Sequence, residues 1–266
     1  MSSTTKEPNV AGSFYPADPQ ELKLLLDHYL SEAVTTQDEI TAKALVAPHA
    51  GFIYSGPIAA SAYQAAKRIK DKISRIILLS PTHHFHLQGA VAPDFNLYKT
   101  PLGTIEIDQE TIAQLNSNNL VKISSDYFER EHAIEVHIPF IQTIFSANTP
   151  IVPIIVGNSE VEQISSIFSL LDNDSTLFIV SGDLSHFLPY DEAKKVDRTT
   201  ADNLECLNYR PLTGEHSCGV WPIRGMLGWA KQNKLKLSTI DLRNSGDTAG
   251  DKDRVVGYGA FVVYKA

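Results

Sequence analysis

The residues of this chain best suited to chemistry sit at the ends of three segments that read as β-strands. His49 stands directly after an apolar run over residues 42–48, and His83 and His84 stand directly after Arg75–Ser80. Asp183 and His186 follow Thr176–Ser181. Imidazole and carboxylate groups ligate metals or move protons near neutral pH. A single histidine at a strand end is most often a hydrogen-bonded structural residue, but three strand ends carrying His or Asp shift that balance. In an open α/β sheet, ligands bind beyond the carboxyl ends of the strands, so topology predicts that the three sets converge on one pocket.

Cys218, before Gly219 and a helix-compatible stretch over residues 220–230, adds a sulfur. The positive end of a helix dipole favours thiolate, which is a nucleophile or a metal ligand. Two imidazoles from His49 and His83 with an anion from Cys218 would leave coordination positions open, as metal-assisted reactions require. Sequence spacing alone does not support this set, and no local H-E-x-x-H motif is present. Cys206 lies between Leu204 and Leu207 and is expected to be a small buried apolar residue.

The segment from Glu131 through His132 and Glu135 to His137 is dense in titratable groups. As a helix it would place His132 and Glu135 on one face, and as a strand it would align Glu131, Glu135 and His137. It is expected to form a pocket wall or to orient a ligand, with a plain solvated face as the alternative. Tyr15, Phe14 and Tyr54 are candidate aromatic walls, although a role as ordinary core aromatics fits them as well.

The elements that must position these groups form an α/β pattern. Asp18, Pro19 and Glu21 mark a helix start, and Leu22, Leu25, Leu26, Tyr29 and Leu30 follow helical spacing. The strand ending near Pro48 leads through Gly51 and Gly56 into an alanine-rich helix. Ile151–Val156 and Thr176–Ser181 are further continuous apolar strands with a helix, Val161–Leu171, between them. Continuous apolar runs indicate strands covered on both faces. Residues 89–108 read as a hairpin or small added sheet, and residues 237–242 and Val255–Tyr264 as two closing strands. The expected fold is a single domain over residues 1–266, with a mixed, largely parallel central sheet and helices on both faces.

Composition narrows the function classes. With 266 residues, 43% hydrophobic and 20% charged, the chain is of ordinary globular composition. A net charge of −8, from 23 basic and 31 acidic side chains with the basic ones scattered, argues against nucleic acid. No apolar run approaches membrane-spanning length, and the polar start does not resemble a signal peptide, so a cytoplasmic, membrane-free protein is expected. Two cysteines are too few for a disulfide framework.

Six ordered motifs make a resemblance specific. They are Val10-Ala11-Gly12-Ser13-Phe14-Tyr15, Ala47-Pro48-His49-Ala50-Gly51-Phe52, Pro81-Thr82-His83-His84, Glu131-His132-Ala133-Ile134-Glu135-Val136-His137, Ser181-Gly182-Asp183-Leu184-Ser185-His186 and Cys218-Gly219. Together they resemble the Memo family, called AmmeMemoRadiSam system protein B in microbes. That family is similar in fold to the class III extradiol ring-cleaving dioxygenases, non-haem iron(II) enzymes. The resemblance implies that His49, His83 and Cys218 line a metal site holding iron(II), with copper or zinc as alternatives. It further implies that Asp183 and His186 stand beside the metal and that His186 is the acid/base catalyst. Cysteine replaces the carboxylate ligand of the ring-cleaving enzymes, so catechol dioxygenation does not follow from shared fold. Eukaryotic relatives have been described as phosphotyrosine-peptide binders and as iron or copper proteins, and the microbial name implies a radical-SAM partner and a third partner protein.

The leading expectation is therefore a metal-dependent redox enzyme acting on an unknown small molecule. His186 would move a proton, oriented by Asp183, and His84, His132, Glu135, His137, Tyr15 and Tyr54 would bind substrate or support the site. An anion-binding module with a degenerate metal site and a zinc hydrolase are the alternatives.

Overall fold

The computed structural model describes residues 4–35 and 40–265. Met1, Ser2 and Ser3 of the polar start lie outside the described residues. In chain order the strands and α-helices are β1 (Thr5–Lys6), α1 (Pro19–Ser31), β2 (Ala42–Ala47), α2 (Phe52–Ala66), β3 (Arg75–Ser80), β4 (Ala90–Ala92), β5 (Leu97–Thr100), β6 (Gly103–Glu106), α3 (Gln109–Ser117), β7 (Lys122–Ile123), α4 (Ile138–Ile144), β8 (Ile151–Val156), α5 (Val161–Leu171), β9 (Thr176–Ser181), β10 (His186–Leu188), α6 (Tyr190–Glu205), α7 (Val220–Gln232), β11 (Lys236–Asn244) and β12 (Val255–Tyr264).

A nine-stranded mixed sheet runs in the order β10-β12-β2-β9-β3-β8-β4-β7, with β11 paired to β12. Its centre, β2-β9-β3-β8, is parallel, whereas β12 pairs antiparallel with β2 and β4 pairs antiparallel with β8. The apolar strands predicted from continuous hydrophobic runs are these central ones, and β8 and β9 are buried along their whole lengths. The segment over residues 89–108 divides. β4 joins the main sheet, while β5 and β6 form a hairpin in a separate three-stranded sheet with β1. That division was not legible because β1 comes from the far N-terminus.

Helix α1 begins as its sequence indicates, with the Asp18 carboxylate accepting from the Gln20 and Glu21 amides at 2.9 Å each. Helices α5 and α7 cross closely, because a Cβ at Gly225 would lie 2.3 Å from Ile164 Cγ2. They meet β9 through a cluster of Phe168, Phe178 and Trp229, with ring centroids 4.7–5.3 Å apart. This packing fixes the start of α7, and with it Cys218, against the end of β9.

Register explains why distant residues meet. Ala47 of β2 pairs with Ser181 of β9, so His49 and Asp183 each stand two residues beyond the same rung. Leu79 of β3 pairs with Val180 on the other side of β9, so His83 leaves the sheet at nearly the same level. Neighbouring strands lie ~4.8 Å apart, so β2 and β3, flanking β9, deliver His49 and His83 from about 10 Å apart, a gap two imidazole side chains close.

Candidate metal centre

The rings of His49 and His83 lie 5.1 Å apart, and His132 is 5.5 Å from His49 and stacked on His83 at 4.7 Å. One ring nitrogen from each of the three falls within 4.8 Å of the others, a group that could hold a metal ion. Cys218 Sγ is 3.3 Å from His49 Nε2. The strand-end residues and the cysteine thus come together, and His132, expected only as a wall, enters the same cluster.

His49 and His83 are each held through Nδ1. His49 is buried, with Nδ1 2.7 Å from Ser181 Oγ, and its backbone N–H donates to Asp183 Oδ1 at 2.7 Å. His83 Nδ1 is 2.8 Å from Glu131 Oε1, and its backbone N–H donates to Glu131 Oε2 at 2.7 Å. The Glu131 carboxylate also accepts from the His132 and Ala133 amides at 2.9 Å each. Both ligand candidates therefore turn Nε2 inward, the arrangement that supporting hydrogen bonds commonly impose on metal-binding histidines.

The electrostatics follow from burial and from these partners. Burial, reinforced by the charges of His83, His132, His137 and His186, holds His49 well below the usual imidazole range. Burial also lowers His132, to about 4, with the neighbouring His83 adding to the effect. For His83 burial acts in the same direction, but the Glu131 hydrogen bond and charge outweigh it and raise the imidazole. Burial opposes ionisation of Glu131 too, yet His83 and the amide donors keep its carboxyl below the ordinary value. Asp183 is pushed up to about 7 by burial, which the His49 amide only partly offsets.

Cys218 departs from the helix-dipole argument. Desolvation, followed by the Asp183 charge, pushes its thiol well above the ordinary value. The lost hydration of the sulfur outweighs the start of α7. Gly219 supplies the close approach that seats it, since a Cβ there would lie 2.4 Å from the Ser181 carbonyl oxygen. Cys206, expected to be buried, is exposed at the C-terminal cap of α6.

The segment Glu131–His137 is neither of the regular alternatives. A turn followed by a short 3-10 helix over Glu135–His137 sends its side chains to different places. Glu131 and His132 face the cluster. Glu135, fully buried, accepts from the Asn9 and Val10 amides at 2.6 and 2.8 Å and from the Tyr15 hydroxyl at 2.7 Å. It ties the N-terminal motif down beside the site, where Phe14 lies 4.9 Å from the His132 ring. Tyr15 is accordingly a buried partner of Glu135, and Tyr54 is part-exposed near Gly51. His137 is buried beneath the cluster, and burial lowers it to about 3.

His186 follows β9 as expected, and burial lowers its imidazole. The Asp183 carboxylate accepts from the His49 amide at 2.7 Å. His84 lines an adjacent cleft of ≈ 450 Å³, together with His83, Phe85, His86, Asn158 and Trp221, that reaches Cys218. Sequence reasoning passed over Ser181, Tyr63 and Trp221. The available signal for Ser181 was a polar residue closing an otherwise apolar strand, level with Ala47.

Among the described residues no helix is long and apolar enough to cross a membrane. The fold agrees with comparisons to known proteins. A family model described as "Memo-like protein" matches residues 6–262, so the chain belongs to the Memo-like family. It is 33% identical over 264 residues to a MEMO1 family protein of Aquifex aeolicus, covering 95% of this chain and 97% of that one. It is 32% identical to a MEMO1 family protein of Saccharolobus solfataricus, over 94% and 96% of the two chains. An uncharacterized Escherichia coli K12 protein of known structure shares the fold, with a TM-score of 0.53 and 14% identity over 84% of this chain and 100% of that one.

Proposed function

We propose that this Memo-like protein is a metal-dependent redox enzyme acting on a small molecule, with a non-haem site of the extradiol-dioxygenase type. The observation that carries this reading is the convergence of His49 and His83, each anchored through Nδ1, with Cys218 Sγ 3.3 Å from His49 Nε2. The donors suit a metal ion. A low imidazole pKa leaves His49 a free lone pair at neutral pH, and two nitrogens with a sulfur fit iron(II), copper or zinc. In this reading His49, His83 and Cys218 hold the ion, with iron(II) preferred, and His132 stacks on His83 as wall or additional donor. When bound, a metal ion would supply Lewis acidity and, if redox-active, electron transfer.

The protein's own groups would do the rest. The cleft beside Cys218 would admit the substrate between Phe85 and Trp221, with His84, His86 and Asn158 offering hydrogen bonds to polar or anionic groups. Asp183, titrating near 7, could hold or release a proton near physiological pH. His186, at the start of β10, would carry a proton at its ring. The resemblance to the microbial family also implies radical-SAM and further AmmeMemoRadiSam system partner proteins.

A second reading, a binding module for phosphorylated or other anionic ligands, rests on the histidines and Asn158 lining that cleft. A third, a zinc hydrolase, rests on the donor set itself. Anaerobic purification with counting of iron, copper and zinc, followed by oxygen-uptake measurements on the loaded protein, separates them. Stoichiometric iron with substrate-dependent oxygen uptake supports the redox enzyme. Metal-free protein that binds a phosphorylated ligand supports the module, and zinc without oxygen uptake supports the hydrolase.

A further inference from the structure

Beneath the cluster lies a buried polar chain to which the proposed reaction assigns nothing. Ser181 Oγ is 2.7 Å from His49 Nδ1, 2.8 Å from His137 Nε2 and 2.8 Å from the Ala133 carbonyl oxygen. The other nitrogen of His137, Nδ1, is 3.0 Å from the Tyr63 hydroxyl. Ser181, His137, His49 and Tyr63 are all buried.

Counting protons leaves one arrangement that satisfies every contact. A serine hydroxyl has one proton and two lone pairs, and a neutral imidazole has one N–H. The Ala133 carbonyl can only accept, so the Ser181 proton goes there. Both imidazoles must then donate to the Ser181 lone pairs, His49 through Nδ1–H and His137 through Nε2–H. His137 Nδ1 is left to accept the Tyr63 proton, which completes the chain. The carboxylate nearest the His49 ring, Asp183, has its Oδ2 4.0 Å from Nε2, beyond hydrogen-bond reach, so no carboxylate hydrogen bond compensates a buried charge on either ring and both rings are neutral. If Ser181 instead gave its proton to His49, the Ala133 carbonyl would lose this partner and His49 Nε2 would carry a hydrogen toward Cys218.

We infer that Ser181, His137 and Tyr63 are positioning residues that lock His49 in the Nδ1–H tautomer and so present a bare Nε2 lone pair to the site. The chain does for His49 what Glu131 does for His83, with neutral groups in place of a carboxylate. The tautomer stands whether or not a metal is bound, while its effect on affinity rests on the proposed metal site.

The test is long-range nitrogen–proton NMR on the metal-free full chain, labelled with ¹⁵N-histidine and with His49 assigned by loss of its signals in His49→Ala. The expected result is His49 protonated at Nδ1 and His137 at Nε2, and a His49 ring protonated at Nε2 overturns the inference. Zn(II) titration gives the consequence. Ser181→Ala should bind zinc about 10–100-fold more weakly than wild type, with Ser181→Thr, which keeps the hydroxyl, recovering most of the loss. Equal zinc affinity in Ser181→Ala and wild type overturns the positioning role. Wild-type protein that binds no zinc, iron or copper defeats the metal reading instead and leaves the NMR result to decide the tautomer.

Discussion

Replacing Glu131 with glutamine tests how the site is held. The carboxylate accepts four N–H groups: His83 Nδ1, the His132 amide and the Ala133 amide at Oε1, and the His83 amide at Oε2. In its better orientation a glutamine keeps its oxygen where Oε1 now sits, and its NH₂ replaces Oε2, facing the His83 N–H across a 2.7 Å contact made for an acceptor. One part-buried donor is left unpaired, at about 1–3 kcal/mol, and three charge-assisted bonds become neutral ones at roughly half the strength. Glu131→Gln should therefore lose about 3 kcal/mol of stability in urea unfolding of the metal-free protein, against less than about 0.5 kcal/mol for Glu129→Gln at an exposed position. The same variant removes the charge that raises His83, so the His83 imidazole followed by NMR should titrate lower than in wild type. A Glu131→Gln protein within about 1 kcal/mol of wild type, with His83 titration unchanged, would refute the assignment of Glu131 as the group that fixes His83.

Further predictions address the sulfur, the turn that seats it and the acid limit. Cobalt(II)-loaded protein should show a sulfur-to-cobalt charge-transfer band that disappears in Cys218→Ser and persists in His132→Ala; wild-type protein that binds cobalt without such a band and loses the cobalt in His132→Ala would make His132 the third ligand. Gly219→Ala would drive a Cβ to 2.4 Å from the Ser181 oxygen and 2.9 Å from Gly182 Cα, both backbone. It should cost more than about 2 kcal/mol in thermal unfolding and weaken metal binding, because the backbone carrying Cys218 must move. Buried His137, lowered to about 3, stays neutral where the unfolded chain takes up a proton. Its contribution to stability is thus present above about pH 6.5 and is lost as the pH falls toward 3, at roughly 1.4 kcal/mol per unit. Buried Asp197, raised to about 6 by burial, acts in the opposite sense. Stability should rise as pH falls from 6 toward 4 on its account, and Asp197→Asn should remove that component from the urea-unfolding profile.

The parallel centre of the sheet was legible because β2, β3, β8 and β9 are short, continuous apolar runs, and the placement of His49, His83 and Asp183 directly after them pointed to one crevice. Which strand lies between which was not. The site depends on β9 standing between β2 and β3, a long-range pairing that no local pattern encodes. The segment Glu131–His137 escaped both periodic readings because its function comes from irregular backbone, which turns Glu131 and His132 toward the cluster while Glu135 holds the N-terminal motif. Cys218 was found by type and position, but the burial that raises its thiol comes from long-range packing that no local pattern encodes.

The most direct measurement is equilibrium dialysis of iron(II), under anaerobic conditions, against wild-type protein and His49→Ala side by side. One tightly held ion per wild-type chain, absent from a folded His49→Ala protein, is the predicted result. An equal stoichiometric load in both proteins, or none in wild type at any iron concentration, would contradict a metal centre built on the strand-end histidines.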